Sequence, residues 1–399
     1  MKNAFTEFSD FLIKSERKTV WAITIALGTF ARVLIAKRGH NGDFQSWIAT
    51  VTLMRDGGSV YSEGNYNYGY GPTWMFVLKF ADMLQGIFPD NRVVFRLVII
   101  LILTAFDLGI SILIAKKFSL IAGLLFFINP VSIIISGFHN QFDNIAIFVS
   151  LSGILFLESI KLDEKKWSSW LGLALIGFGL ATKHILLFFP IWLFLRAGSF
   201  RQRTLRLVFP YAAYLLCFIP WATSLDRVKV IIEINFFNKG GESASLLIFL
   251  GGDFEWWTNG SIYRELIFIF TYLIWFLGIL TFGWVMRNRS IVHSLLIYLV
   301  VMVGFAPEYS QQQLIFPLLA LFIYATLELK LFYLITLIFM IQNRNELGIE
   351  FFFPQFFKVD GTIYAWLQVL LLIFALRIVF PNHPQNLKSR HLQSALKLD

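Results

Sequence analysis

The sequence predicts an all-α polytopic membrane protein with about twelve transmembrane helices and interfacial helices in its first extracytoplasmic loop. Three observations predict it. Hydrophobic residues make up 57% of the 399 positions and charged residues only 15%, and the mean hydropathy is +0.67, too apolar for a soluble domain of this size. Apolar runs approaching the roughly 17–25 residues needed to cross a bilayer recur along the chain. Lys and Arg gather in alternate connections, the pattern that sets orientation in a membrane. The 44 Phe suit lipid contact. The net charge of +9 reads as that orientation signal rather than as a nucleic-acid surface, since no soluble basic domain carries it. A single cysteine, Cys217, excludes an internal disulfide and any Cys-based zinc cluster.

The elements follow in order. Residues 1–18 are mixed in charge and lack an apolar core followed by a small-residue cleavage site, so they read as a cytosolic lead-in rather than a signal peptide. Residues 19–380 form a single membrane domain, with apolar spans expected at 19–36, 93–115, 119–137, 145–160, 168–182, 184–196, 205–222, 262–286, 290–305, 314–328, 330–342 and 362–380. A basic tail, 381–399, ends the chain. The N-terminus, Lys116–Lys117, 161–166, 196–206, 287–289 and the tail then all fall on one side, which the positive-inside rule makes cytoplasmic, with both termini inside. One condition attaches: the segment 72–88, which carries Lys79 and Asp82, lies at the interface instead of crossing. The opposite side receives the loops 37–92, 223–261 and 342–361 and nearly all the clustered His, acid and amide residues. No internal repeat or second soluble domain is visible.

The first outer loop opens on "GHNGDFQSW", 39–47. Phe44, Trp47, Ile48, Val51 and Met54 recur at helical spacing after Asp43, so an amphipathic interfacial helix starts there. Two roles fit Asp43: an N-cap and a fixed carboxylate able to act as a base. Tyr61, Tyr66, Tyr68 and Tyr70 alternate with Gly and Asn before Pro72 opens the next helix. An aromatic belt or a carbohydrate platform accounts for them, the latter using Tyr66, Tyr68 and Tyr70.

Further along, Asn129–Pro130 kinks a span that ends in His139, Asn140, Gln141, Asp143 and Asn144. So dense a polar group between apolar runs suggests a lined cavity. Lys183 and His184 sit at the junction of two short spans; Lys183 either snorkels to the interface or serves as a point charge for phosphate. Glu308, Tyr309, Gln312 and Arg344 add candidate substrate contacts on the same side. Asp107 lies inside the second span, too far along the helix from Arg96 to be paired with it from sequence, and an intramembrane acid also fits a transporter. Nucleotide-binding fingerprints, a zinc-protease motif and a nucleophile elbow are absent from the sequence.

The layout resembles the GT-C superfamily of integral membrane glycosyltransferases: a short cytosolic N-terminus, one span, then an outer loop that begins with an acid and continues as interfacial helix, aromatic loop and Pro-led helix. "NGDFQSW", "GGSVYSEGNYNYGYGPTW" and "NPVSIIISGFHNQFDN" carry the match. The last is similar to the Asn-Pro…Gly-Gln-Phe-Asp pattern of prokaryotic relatives of the GPI mannosyltransferases and, more distantly, to the His-Phe-Gln-Tyr-Asn pattern of dolichyl-phosphoglucose-dependent glucosyltransferases. Here Asn140 stands where the first pattern has glycine. The stretches around Lys183 and Gln312 look like later elements of the group.

The resemblance implies a polyprenyl-phosphate-linked sugar donor, a lipid-linked or glycan acceptor, transfer of a hexose such as mannose or glucose on the extracytoplasmic face with inversion, and Asp43 as catalytic base. Membrane lipids surround such a protein and no cofactor is expected; the lack of a soluble basic domain argues against nucleic acid as a partner, and short termini without targeting segments favour a bacterial inner membrane over the endoplasmic reticulum, where the same face would be lumenal. Metal use varies across the superfamily; Asp43 and Asp56 stand too far apart for an Asp-x-Asp pair, so no required metal is expected. A transporter or flippase of lipid-linked sugars is the competing reading, and a non-catalytic scaffold in which Asp43 is only a cap is the third.

Overall fold

A computed structural model describes residues 15–62, 68–87, 93–160, 167–233, 262–307, 311–342 and 362–379. Tyr66, Glu308, Tyr309 and Arg344, most of the loop 223–261, nearly all of 342–361 and both tails lie outside them. The described residues are helical, without a strand among them. The helices are α1 (Ser15–Ala36), α2 (Gly42–Arg55), α3 (Thr73–Gly86), α4 (Val93–Lys117), α5 (Leu120–Phe127), α6 (Pro130–Ile133, running on into a π-helical turn Ile134–His139), α7 (Asp143–Ser159), α8 (Trp167–Thr182), α9 (Phe189–Leu195) and α10 (Phe200–Leu216). After these come α11 (Leu225–Ile232), α12 (Ile262–Met286), α13 (Ile291–Gly304), α14 (Leu318–Tyr324), α15 (Leu327–Gln342) and α16 (Thr362–Val379).

Among the described residues, four helices are long and apolar enough to cross a membrane, or up to six if each of two bent pairs counts as one span. Fewer reach that length than the apolar runs suggest, because several runs fold as shorter or broken helices. The spans expected separately at 168–182 and 184–196 meet at 119° across a break at Lys183. The run 119–137 bends by 41° between α5 and α6, at the Asn129–Pro130 step. The Asn129 side chain caps the Val131 amide there at 2.9 Å, and proline takes the first helical position, where its missing N–H is not needed. Helix α3 has 14 residues, about 21 Å at the α-helical rise, short of a ~30 Å hydrocarbon core.

The helices turn an apolar face outward. On α1 the exposed side chains Val20, Ile23, Leu27, Phe30 and Leu34 fall at three- and four-residue steps, one stripe of a helix. A soluble protein would bury that stripe; lipid solvates it. The face of α1 turned inward carries Arg32, fully buried. Its guanidinium lies 2.9 Å from the Asp107 carboxylate of α4 and donates also to Ser136, Ser132, Gly28 O and Phe127 O. Asp107 accepts from Ser132 and Asn144 as well. Asp107 therefore pairs with Arg32, not with Arg96, and both charges are solvated entirely by protein.

Small residues set the closest helix approach. A Cβ on Gly153 of α7 would stand 2.6 Å from the Gly172 carbonyl of α8, so the two backbones touch, as small-residue interfaces in membranes allow. At one end of the bundle Lys117 of α4 pairs with Glu158 of α7 at 3.0 Å, and Glu158 accepts from the Val292 amide of α13. The candidate site gathers residues from the other ends of α7 and α8.

Candidate functional site

The site begins with a helix cap that is not Asp43. The N-cap of α2 is Asn41, extended at φ −83°, whose side-chain oxygen accepts from the Asp43 amide at 3.2 Å. Asp43 is the second residue of the helix, in its first turn at the positive end, and the Asn41 amide donates to its Oδ2 at 2.6 Å. Capping is thus removed from Asp43 and its carboxylate is left half-buried with an open side. The apolar stripe of α2 packs on protein: Phe44, Trp47 and Val51 are buried, with Trp47 edge-on to Trp74 and Phe142. The helix expected to lie in the interface is docked by that face onto the bundle.

The aromatic loop divides its tyrosines by depth. Tyr68 is fully buried and its hydroxyl donates to Gly71 O at 2.5 Å, so it holds the loop and offers no open platform to a sugar. Tyr70 turns toward the site. Burial first, then the Asp43 and Asp143 carboxylates, push its phenol above its ordinary range, so it stays neutral. The loop presses on the end of α8: a Cβ on Gly71 would fall 1.8 Å from Ala181 O, and Thr73 donates to the same carbonyl at 3.3 Å. That contact stands two residues before Lys183.

The turn between the π-helical segment and α7 supplies the next groups. Asn140 is left-handed at φ 55°. Glycine or asparagine suits that conformation, and asparagine meets the demand here. Arg96 of α4 straps this turn to the end of α1, donating to Asn140 Oδ1 at 3.1 Å and Ala36 O at 2.7 Å, and to Gly39 O. Gln141 and Asp143 are fully buried. Asp143 opens α7 without any side-chain cap; its partner is Lys183.

Lys183 occupies the 119° break between α8 and α9 in an extended conformation. Its ammonium donates to Asp143 Oδ2 at 2.6 Å, to Gln312 Oε1 at 2.8 Å and to Gln141 Oε1 at 3.2 Å. It also lies 5.3 Å from the centre of the Tyr70 ring and 5.2 Å from that of Phe142. Gln312, on the short 3-10 turn Gln311–Ile315, turns its amide to donate to Asp43 Oδ2 at 3.2 Å. One chain of hydrogen bonds thus runs from Asn41 through Asp43, Gln312 and Lys183 to Asp143 and Gln141. Two buried atoms on it, Gln141 Nε2 and Asp143 Oδ1, have no hydrogen-bond partner. Buried polar atoms left unpaired are uncommon in folded proteins.

Of the residues singled out in the sequence, Asp43, Tyr70, Gln141, Asp143, Lys183 and Gln312 come together. His184 points elsewhere, with its Nε2 3.1 Å from the Tyr214 hydroxyl of α10, and His139 is buried against Phe138. Sequence reasoning missed Asn41, Arg32 and the strap role of Arg96. A cation in the first turn of an apolar helix was the one available signal for Arg96. Among the described residues no three His, Cys, Asp or Glu side chains gather to hold a metal ion. Comparison with models of known protein families and with curated proteins returns no match.

Proposed function

We propose that the chain is an inverting membrane glycosyltransferase of GT-C type that moves a hexose, mannose or glucose, from a polyprenyl-phosphate donor to a hydroxyl of a lipid-linked or glycan acceptor. The observation that carries this reading is the placement of a carboxylate, Asp43, and an ammonium, Lys183, on the two ends of one glutamine side chain. The acceptor oxygen attacks the anomeric carbon while Asp43 takes its proton. The bond from that carbon to the phosphate oxygen breaks, and the electron pair leaves on the polyprenyl phosphate. Lys183 supplies positive charge where that negative charge develops. Single displacement with oxocarbenium-like character gives inversion, by analogy with glycoside chemistry. The unpaired Gln141 and Asp143 atoms suit sugar hydroxyls.

The finer topology belongs to the same proposal: about twelve membrane passages counting short and broken helices, both termini cytoplasmic, in a bacterial inner membrane. Sidedness supports it. Lys117 and Glu158 meet at the end that the basic clusters make cytoplasmic, and the Asp43–Lys183 chain lies at the other, where a flipped lipid donor is available and a nucleotide sugar is not.

The test is purified protein in nanodiscs with a panel of labelled polyprenyl-phosphate sugars and a lipid extract. Donor-dependent product supports the reading; binding of none of them, with no product, removes it. A second reading, a flippase of lipid-linked sugars, draws on the two broken helices, a form that transporters use at their binding sites. Movement of lipid-linked sugar in proteoliposomes without any transfer would select it. Its other support weakens, because Asp107 is fully engaged by Arg32, Ser132 and Asn144.

A further inference from the structure

We propose that Gln312 is a latch that an anionic phosphate displaces from Lys183, so that seating the phosphate also loosens the hold on Asp43; this rests on the transferase reading above.

An ammonium has three N–H donors, and all three on Lys183 are engaged, by Asp143, Gln312 and Gln141. A phosphate reaches one only by displacing an acceptor. The three acceptors differ in what they lose. Asp143 is fully buried, and its 2.6 Å contact is charge-assisted; releasing it strands a buried carboxylate, the costliest of the three outcomes. Gln141 makes the longest bond, 3.2 Å, but it too is fully buried, and its carbonyl oxygen would join an amide nitrogen that already lacks a partner. Gln312 is neutral and partly exposed, so water can take over its oxygen once it lets go. Of the three, Gln312 is the acceptor that yields.

The exchange reaches Asp43 because the same amide holds both. Gln312 Nε2 donates to the oxygen, Oδ2, that also accepts from Asn41. When Oε1 gives up Lys183, the amide is no longer fixed at its far end, and the Asp43 side chain keeps Asn41 as its anchor while losing a rigid second one. After transfer, the leaving polyprenyl phosphate sits on Lys183, and reclosure of Gln312 competes with it. Gln312 is therefore a positioning residue acting through its two neighbours.

The experiment measures binding of a short-chain polyprenyl phosphate, and donor and acceptor KM, on full-length protein in nanodiscs for wild type, Gln312→Leu and Gln312→Glu. Leucine cannot occupy Lys183, so Gln312→Leu binds the phosphate about fivefold tighter, the equivalent of one lost competing hydrogen bond. Its donor KM falls by a similar factor while acceptor KM stays within twofold. Glutamate occupies Lys183 more strongly, so Gln312→Glu binds at least about tenfold more weakly. Opposite shifts in the two variants are the signature of a displaced competitor, which a merely structural glutamine would not produce. Weaker binding by Gln312→Leu would make Gln312 a direct ligand, and unchanged binding in both variants would remove it from the site; either overturns the latch while leaving transfer by the wild type intact. A wild type that neither binds polyprenyl phosphate nor transfers sugar overturns the transferase reading, and the latch with it.

Discussion

At the scale of single residues, Lys183 decides most. Its side chain is 14% exposed and Asp143 is fully buried, so removing the cation leaves a buried carboxylate uncompensated. Lys183→Met is expected to lower stability by about 3–5 kcal/mol and to abolish transfer. Adding Asp143→Asn to it restores most of the thermal stability without restoring transfer, since the charge for the leaving phosphate is still missing. Thermal unfolding in detergent beside a transfer assay separates the two effects; recovery of transfer by the double variant would deny Lys183 its role. The same logic applies to the pair inside the bundle: Asp107→Asn strands Arg32, and a stability loss of comparable size, about 3–5 kcal/mol, is expected.

The sequence announced some of these residues and hid others. An ionisable residue between two short apolar runs marks Lys183 without any structure. The Asp43 role was ambiguous because Asn41, two residues earlier, competes for the cap, and backbone angles at Asn41 decide that contest. Arg32 with Asp107 was illegible, since their pairing spans 75 residues and depends on how α1, α4 and the π-helical turn pack.

At the scale of elements, the site exists because helices break. A straight run from α8 into α9 would carry Lys183 past the loop; the 119° break leaves it extended and facing Asp143. Adjacent apolar runs reveal a junction but not its angle, which is why two separate spans were expected there. The π-helical turn does the same for Gln141 by ending on left-handed Asn140; such turns cluster at functional sites. Periodicity also could not say that Tyr68 faces inward and Tyr70 toward Lys183, because an irregular loop has no fixed period. The contact of Gly71 with Ala181 ties the aromatic loop to the break. Gly71→Ala is therefore expected to cost about 1–3 kcal/mol through overpacking and to reduce transfer, because the added methyl lifts Tyr70 away from Lys183. Retained activity and an unchanged melting temperature would show that the loop does not position the site.

At the scale of the whole molecule, the composition foretold an apolar helical bundle, and α1 shows its form: an apolar stripe faces outward as well as the apolar core facing inward, with Arg32 buried among the polar groups that satisfy it. Orientation is read in a background where the single native cysteine is replaced as Cys217→Ser. Gln45→Cys, exposed on α2, is expected to react with a membrane-impermeant maleimide on intact cells, and Arg201→Cys, exposed on α10, only after permeabilisation. The reverse pattern would place the site on the cytoplasmic face and exclude a flipped lipid donor.

In the proposed reaction Asp43 is the base and Lys183 the phosphate partner. The most direct measurement is a single-turnover assay with labelled polyprenyl-phosphate hexose, comparing wild type with Asp43→Asn and reading donor binding and sugar transfer separately. Donor affinity is expected to stay within about threefold of wild type, with transfer slowed by at least about 10²–10⁴-fold. Transfer at the wild-type rate by Asp43→Asn would contradict the role of Asp43 as base.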